Sequence, residues 1–376
     1  MGIMGHRESG GGKMCPMADY SNPVTLLTPE GQRVDHPEYS IELSAAELRD
    51  LYREMVLVRR LDTEATALQR QGELGLWASC LGQEAAQVGS AAALRPTDFA
   101  FPTYREHGVA FHQGVKPLEI LALYRGVTNG GWDPVERRCG LYTIVIGNQA
   151  LHGVGYAMGQ QLDGAEEATI TYFGDGATAQ GDVNEAFVFA SVFNAPVVLF
   201  CQNNQFAISQ PRERQSTVPI YRRASGFGFP GVLVDGNDIL AVMAVTRAAL
   251  ERARSGNGPT LIEAYTYRMA AHTTSDDPTR YRMSDEVERW RLRDPIERLK
   301  VYLAHEGFAD RTFFDTVDAE AEEMAVAIRA DVRALPTPTG ASIFDNVYVG
   351  AHPHVDAQRE AFLEYEAGFA DSEAHR

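Results

Sequence analysis

Asp175 and Asn204 are the residues in this chain best spaced to do chemistry. Asp175 lies in Gly174-Asp175-Gly176-Ala177, directly after Ala168-Thr169-Ile170-Thr171-Tyr172-Phe173, a β-branched and aromatic run that reads as a buried strand. From Asp182 to Asn194 the residues Val183, Ala186, Phe187, Ala190 and Phe193 recur at helical spacing. Pro196 breaks that helix, and Val197-Val198-Leu199-Phe200-Cys201 reads as a second strand ending at Asn203-Asn204. Such a βαβ unit crosses over right-handed, so its strands are parallel. Asp175 and Asn204 then both lie past the carboxyl ends of strands, the edge where open α/β sheets bind ligands. A carboxylate, a carboxamide oxygen and a nearby backbone carbonyl are hard donors that suit Mg²⁺, with phosphate oxygens and water completing its octahedron. Gly176 and Ala177 are expected to open the helix, whose free N–H groups and dipole favour a diphosphate. Gly-Asp-Gly alone is equally an ordinary turn. Asn-Asn at the end of the very next strand argues for the ligand site.

The whole chain sets the bounds on this reading. Its 376 residues allow one large α/β domain or two smaller ones, and 44% hydrophobic content suffices for a full core. A net charge of −17 argues against a nucleic-acid partner, which needs a basic face. No apolar run reaches the length of a membrane span, so no membrane partner is expected. The Gly-rich N-terminus, with Pro16 and Pro23, lacks the apolar core of a signal peptide and the character of a transit segment. Cys15, Cys80, Cys139 and Cys201 are scattered without a C-x-x-C pair, which suits a reduced cytoplasm and excludes a disulfide framework or zinc site. Neither a nicotinamide glycine fingerprint nor a P-loop follows any strand.

The elements that must position the site follow in order. Residues 1–40 read as a flexible N-terminal tail or an arm lying on a partner, 41–335 as the ligand-binding domain, and 336–376 as a C-terminal extension contacting a partner subunit. Ser44 and Glu47 form a capping box for a helix reaching Gln71. A small-residue helix runs from Gly82 to Leu94, and another spans Pro117 to Tyr124. Gly147, Gly153, Gly155 and Gly159 punctuate Ile144 to Leu162, which suggests close helix packing. A third unit runs from the strand Gly231–Val234 through a helix capped by Asp238 to the strand Thr260–Tyr265, and ends in a polar loop holding His272. An acidic helix covers Asp318 to Leu335.

The interval between Gly-Asp-Gly and Asn-Asn resembles the thiamine diphosphate fingerprint. Further pieces follow the same family's order: Gln69-Arg70-Gln71-Gly72, Val88 to Leu94, Tyr104-Arg105-Glu106, Val234-Asp235-Gly236-Asn237-Asp238, and His272-Thr273-Thr274-Ser275-Asp276-Asp277. Over roughly Leu48 to Leu303 the chain resembles the alpha subunit of the decarboxylating component of 2-oxo acid dehydrogenase complexes. The resemblance implies an α/β fold of the thiamine diphosphate-binding type, a mostly parallel sheet with helices on both faces. It implies thiamine diphosphate and Mg²⁺ held between alpha and beta subunits of an α₂β₂ heterotetramer, a 2-oxo acid substrate, and a lipoyl-bearing transacylase core as acyl acceptor. Metal ligands are then implied at Asp175, Asn204 and the backbone carbonyl of Phe206. Tyr104 and Arg105 match a diphosphate-contacting pair, Gly176 and Ala177 supply amides, and Ile144 and Ile146 match apolar residues that contact or brace the cofactor. His272 matches the histidine that serves diphosphate binding and the reductive acylation of lipoamide.

Some positions depart from the family. Thr273 stands where regulated mitochondrial relatives carry a phosphorylated serine, and Thr103 replaces a glutamine of the animal branched-chain enzyme. A potassium site of that enzyme is partly matched by Thr143 and Gln149. Leu76 and Trp77 align with an apolar pocket wall in the branched-chain enzyme, and the segments around Asn204 and His272 look closer to branched-chain than to pyruvate versions. A branched-chain 2-oxo acid of the 3-methyl-2-oxobutanoate type is therefore the expected substrate, with pyruvate as the alternative and acetoin more distant. A non-catalytic scaffold would not need Asp175, Asn204 or His272. The helix through Gly155-Tyr156-Ala157-Met158-Gly159 carries a small-residue pattern that the family uses where subunits meet; internal packing is the other explanation.

Overall fold

A computed structural model describes residues 20–369. Its sheet has five parallel strands: β1 (Phe99–Phe101), β2 (Thr169–Gly174), β3 (Val197–Asn203), β4 (Gly231–Asp235) and β5 (Thr260–Tyr265), in the order β1-β2-β3-β5-β4. Its helices include α1 (Ala45–Arg70), α2 (Glu84–Ala91), α3 (Asn148–Leu162), α4 (Gly181–Val192), α5 (Ile239–Arg254), α6 (Arg311–Ala334) and α7 (Pro353–Ala367). β2 and β3 are buried along almost their whole length because helices cover both of their faces. Ile170, Tyr172, Val198 and Phe200 enter one core with α2 and α5, whereas Phe173, Val197, Leu199 and Cys201 enter another with α3 and α4. The α/β fold with helices on both faces matches the expectation.

Local capping sets the element boundaries. Ser44 accepts the Glu47 N–H at 3.2 Å, and the Glu47 carboxylate accepts the Ser44 N–H at 2.7 Å, so the expected box does start α1. The acidic helix begins earlier than expected, at Arg311 behind Asp310, because Phe314 and Val317 continue its buried stripe upstream. Ile144 to Gly147 is not helical: Gly147 adopts φ +87°, which ends the loop and starts α3 at Asn148.

Of the expected N-terminal tail, residues 1–19 lie outside the described residues. From residue 20 the chain is packed: Val24 bridges Val234 beside β4, and Leu26 and Leu27 are buried. Asp238 explains why. One carboxylate oxygen caps α5 by accepting from Leu240 and Ala241 at 3.0 and 3.1 Å, while the other accepts the N–H groups of Leu26 and Leu27 at 2.7 and 2.6 Å. At the other end, α7 has no buried residue and meets the turn Gly340–Phe344, leaving Tyr348, Val349 and Tyr365 exposed. Among the described residues no helix is long and apolar enough to cross a membrane, and Cys80, Cys139 and Cys201 are buried free thiols.

The glycines of α3 have two different roles. A Cβ on Gly153 would sit 2.5 Å from Cβ of Thr171, whereas one on Gly155 or Gly159 would meet nothing within 4 Å. Gly153→Ala is therefore expected to overpack the helix–sheet contact and cost about 1–3 kcal/mol in urea unfolding. Gly155→Ala should instead gain up to about 1 kcal/mol of helix propensity. Equal effects at the two positions would refute this division.

Candidate active site

The carboxyl ends of β2 and β3 and the loop after β5 converge on one cavity. Its wall contains Tyr104, Arg105, Ile146, Asp175, Gly176, Ala177, Asn204, Phe206, Arg268 and His272. Parallel strands end on the same edge, so residues far apart in sequence meet there. Asp175 is 2% exposed, and its Oδ2 accepts from Gln215 Nε2 at 3.1 Å. Burial pushes its carboxyl up to about 6, opposed in part by the charge of Arg268. A carboxylate in that setting favours a cation.

Gly176 and Ala177 do not open the α-helix. They lie in a 3₁₀ turn, Asp175–Ala179, tightened where Thr178 Oγ1 donates to the Asp175 carbonyl at 2.8 Å, and α4 begins only at Gly181. The glycine at 176 is required by packing: a Cβ there would lie 2.5 Å from Cβ of Ala207. It lets the loop from Asn204 to Ile208 press against the Asp175 turn.

That loop is strained and clamped. Gln205 and Ile208 adopt φ values of 73° and 55°, left-handed conformations that cost roughly 1–3 kcal/mol each for such residues. Asn204 Oδ1 accepts the Phe206 N–H at 3.3 Å. Arg268 donates to the carbonyls of Phe206 at 3.2 Å and Ile208 at 2.7 Å from full burial. Burial, with Arg105 adding to it, lowers the Arg268 pKa to about 10, so the side chain remains a cation at neutral pH.

Arg105 reaches the same point from the other side. It donates to the carbonyls of Ser79 at 2.6 Å and His272 at 2.8 Å, and its Nη2 lies 3.1 Å from His272 Nδ1. Arg268 Nη1 lies 3.3 Å from the same Nδ1. A guanidinium only donates, so Nδ1 is the acceptor and the neutral ring carries its proton on Nε2. Burial first, then Arg105 and Arg268, lower the His272 pKa to about 4. The His272 N–H donates to Asp276 Oδ2 at 2.8 Å, and the loop is held further where the Trp77 N–H donates to Thr274 Oγ1 at 3.1 Å and the Thr274 N–H to the Trp77 carbonyl at 3.0 Å.

The sign of the pH effect follows. Once unfolded, His272 takes up a proton near its ordinary pKa of 6.5, but folded it resists protonation down to about 4. Its contribution to the stability of the chain without cofactor should therefore fall as pH drops from about 6.5 towards 4. Urea unfolding at pH 7 and pH 5 checks this, with His272→Gln expected to flatten the slope. An equal slope in both proteins would contradict it.

Several expected residues fall elsewhere. Ile144 is 73% exposed and outside the cavity wall, which takes Val145, Ile146 and Gly147 from that loop. Trp77 is fully buried, stacks on His107 at 4.2 Å and donates to Asp62 at 2.8 Å, so it belongs to the core and not to the cavity wall. Thr143 accepts at its carbonyl from Gln149 at 3.0 Å, which ties those two residues into one small loop. Sequence reasoning missed Arg268 and Gln202 as wall residues. Arg268 stood four positions before His272 at a strand's carboxyl edge, which was the available signal.

Residues 52–339 match the family model described as dehydrogenase E1 component. The chain is 47% identical over 339 residues to the 3-methyl-2-oxobutanoate dehydrogenase subunit alpha of Mycobacterium tuberculosis (strain ATCC 25618 / H37Rv), covering 90% of this chain and 92% of that one. It is 37% identical over 328 residues to the pyruvate dehydrogenase E1 component subunit alpha of Acholeplasma laidlawii, covering 85% and 94%. With the protein of that name from Bacillus subtilis (strain 168) it shares 36% over 307 residues, covering 81% and 82%. The chain belongs to the dehydrogenase E1 component family, thiamine diphosphate-dependent oxidoreductases of 2-oxo acids.

Proposed function

We propose that the chain is the alpha subunit of a 2-oxo acid dehydrogenase complex. It acts with a beta subunit in an α₂β₂ heterotetramer on a branched-chain 2-oxo acid of the 3-methyl-2-oxobutanoate type, and the acyl group passes to lipoamide on a transacylase core. The observation that carries the substrate reading is the 47% identity to a 3-methyl-2-oxobutanoate dehydrogenase alpha subunit, against 37% and 36% for the pyruvate dehydrogenase relatives.

The donor set fits Mg²⁺. Asp175, Asn204 and the Phe206 carbonyl offer one carboxylate and two neutral oxygens on one wall, and no cluster of three or more His, Cys, Asp or Glu suited to a metal exists among the described residues. With so little protein charge, the site depends on diphosphate oxygens, as Mg²⁺ sites commonly do. Thiamine diphosphate, when bound, supplies the nucleophile and the electron sink for loss of carbon dioxide. Arg105 and Tyr104 would hold the diphosphate, with Gly176 and Ala177 offering amides and Ile146 bracing the organic part. Arg268 fixes the ligand loop and adds positive charge. His272 holds a proton at Nε2, and the guanidinium groups against Nδ1 make that N–H a stronger acid for donation during acyl transfer. The open positions beside Gly155 and Gly159, together with half-exposed Tyr156, support α3 as a subunit contact, and the uncovered α7 supports residues 336–376 as a partner-contacting extension.

The test is steady-state turnover by the chain assembled with its beta subunit. A higher kcat/KM for 3-methyl-2-oxobutanoate than for pyruvate is expected, by about 10–200-fold if one apolar pocket does the discriminating. A preference for pyruvate would reverse the assignment. The pure chain should be inactive, and robust decarboxylation by it would remove the need for a beta subunit.

A further inference from the structure

Asn204 presents a chemical problem that the fold must solve. A carboxamide can turn over by half a rotation with little change in shape, exchanging oxygen for nitrogen. A divalent cation accepts the oxygen and rejects the NH₂. Something must hold the amide one way round.

Hydrogen bonds anchored at both ends do so. At one end the Phe206 peptide N–H, which can only donate, meets Asn204 Oδ1 at 3.3 Å. At the other end the Glu106 carboxylate accepts the Thr103 N–H at 2.6 Å and Gln202 Nε2 at 3.2 Å. Between these ends, Gln202 Nε2 and Asn204 Nδ2 converge on one atom, Gln83 Oε1, at 2.9 and 3.0 Å. Turning the Gln83 amide over would set an NH₂ against two N–H donors. The arrangement leaves Gln83 Nε2 and Gln202 Oε1 buried without a partner. Buried polar atoms are normally satisfied, so orphans on both amides mark a geometry held for another purpose.

We infer that Gln83 is a positioning residue for the proposed metal site: its carbonyl oxygen engages the Asn204 nitrogen, so the Asn204 oxygen is left for the cation. Gln83 is fully buried, is not in the cavity wall, and reaches it only through the amides of Asn204 and Gln202. Its backbone is well braced. The Gly82 N–H donates to Glu84 Oε2 at 3.0 Å, and Glu84 pairs with Arg59 at 2.9 Å. Gly82 itself has φ +89°, and a Cβ there would lie 2.8 Å from the Tyr267 carbonyl oxygen. The inference rests on the function proposed above.

The experiment is a Mg²⁺ titration of the assembled alpha–beta complex at fixed thiamine diphosphate, followed by calorimetry. Gln83→Met, similar in volume but without an acceptor, is expected to raise the Mg²⁺ half-saturation about 10–100-fold, the usual cost of losing a residue that orients a metal ligand. Gln83→Glu keeps an acceptor oxygen and should stay within about threefold of wild type. Melting temperatures without cofactor report folding separately, and a merely structural role would shift them without separating the two variants in Mg²⁺. Where Gln83→Met does not fold, Gln83→Asn withdraws the acceptor by one methylene and should still cost at least about tenfold. An unchanged half-saturation in Gln83→Met or Gln83→Asn overturns the inference, as does a loss in Gln83→Glu equal to that in Gln83→Met. Wild-type complex that shows no Mg²⁺-dependent binding would instead overturn the proposed function.

Discussion

Asp175→Asn should weaken Mg²⁺-dependent thiamine diphosphate binding by more than about 100-fold, since losing a direct ligand exceeds the 10–100-fold seen for residues that only orient one. Asparagine preserves volume and an acceptor for Gln215, so the turn from Asp175 to Ala179 should persist. What disappears is the carboxylate among the proposed ligands. Removing a buried charge also removes its cost of leaving water, so the variant without cofactor should melt no lower than wild type. Opposite signs for binding and stability make the result diagnostic. Isothermal titration with thiamine diphosphate, at saturating and at zero Mg²⁺, measures the first; thermal unfolding measures the second. Unchanged Mg²⁺-dependent affinity would remove Asp175 from the metal assignment.

His272→Gln addresses the later half of the reaction. Loss of a positioned proton donor typically costs about 10²–10⁴-fold, so acylation of lipoamide should fall by that order. Glutamine can still offer an oxygen to Arg105 and Arg268, which keeps those like charges from facing each other unrelieved. Decarboxylation followed with an artificial electron acceptor should therefore retain much of its rate. If both half-reactions fell together, His272 would serve cofactor binding and not acyl transfer. The two variants thus separate the proposed metal end of the cavity from its proton-donating edge.

How far the site was legible in the chain differs residue by residue. Asp175, Asn204 and His272 could be found because each follows a strand, and parallel strands deliver their carboxyl ends to a common edge. Arg105 rested on the resemblance alone, because a Tyr-Arg pair carries no periodic signal. Gln83 and Gln202 were invisible: glutamine at a helix start and at a strand end looks like any polar residue, and only the convergence on Gln83 Oε1 distinguishes them. Trp77 was misplaced because an aromatic residue beside a site can face either way, and the buried Asp62 draws its indole inward.

By itself the sequence determined the alternation of strands and helices, the Ser44–Glu47 capping box, and which loops lie on the ligand edge. These depend on short-range spacing and on the carboxyl-edge rule for parallel sheets. Only the tertiary structure decided that the Asp175 turn is 3₁₀, that Arg268 clamps a strained loop, that both guanidinium groups fix the His272 tautomer, and that the arm from residue 20 is packed. The clamp, the packed arm, the Arg105 contact with His272 and the close approach of Ala207 to Gly176 join residues tens to hundreds of positions apart, and pattern along the chain cannot specify which distant polar atoms will share one buried acceptor.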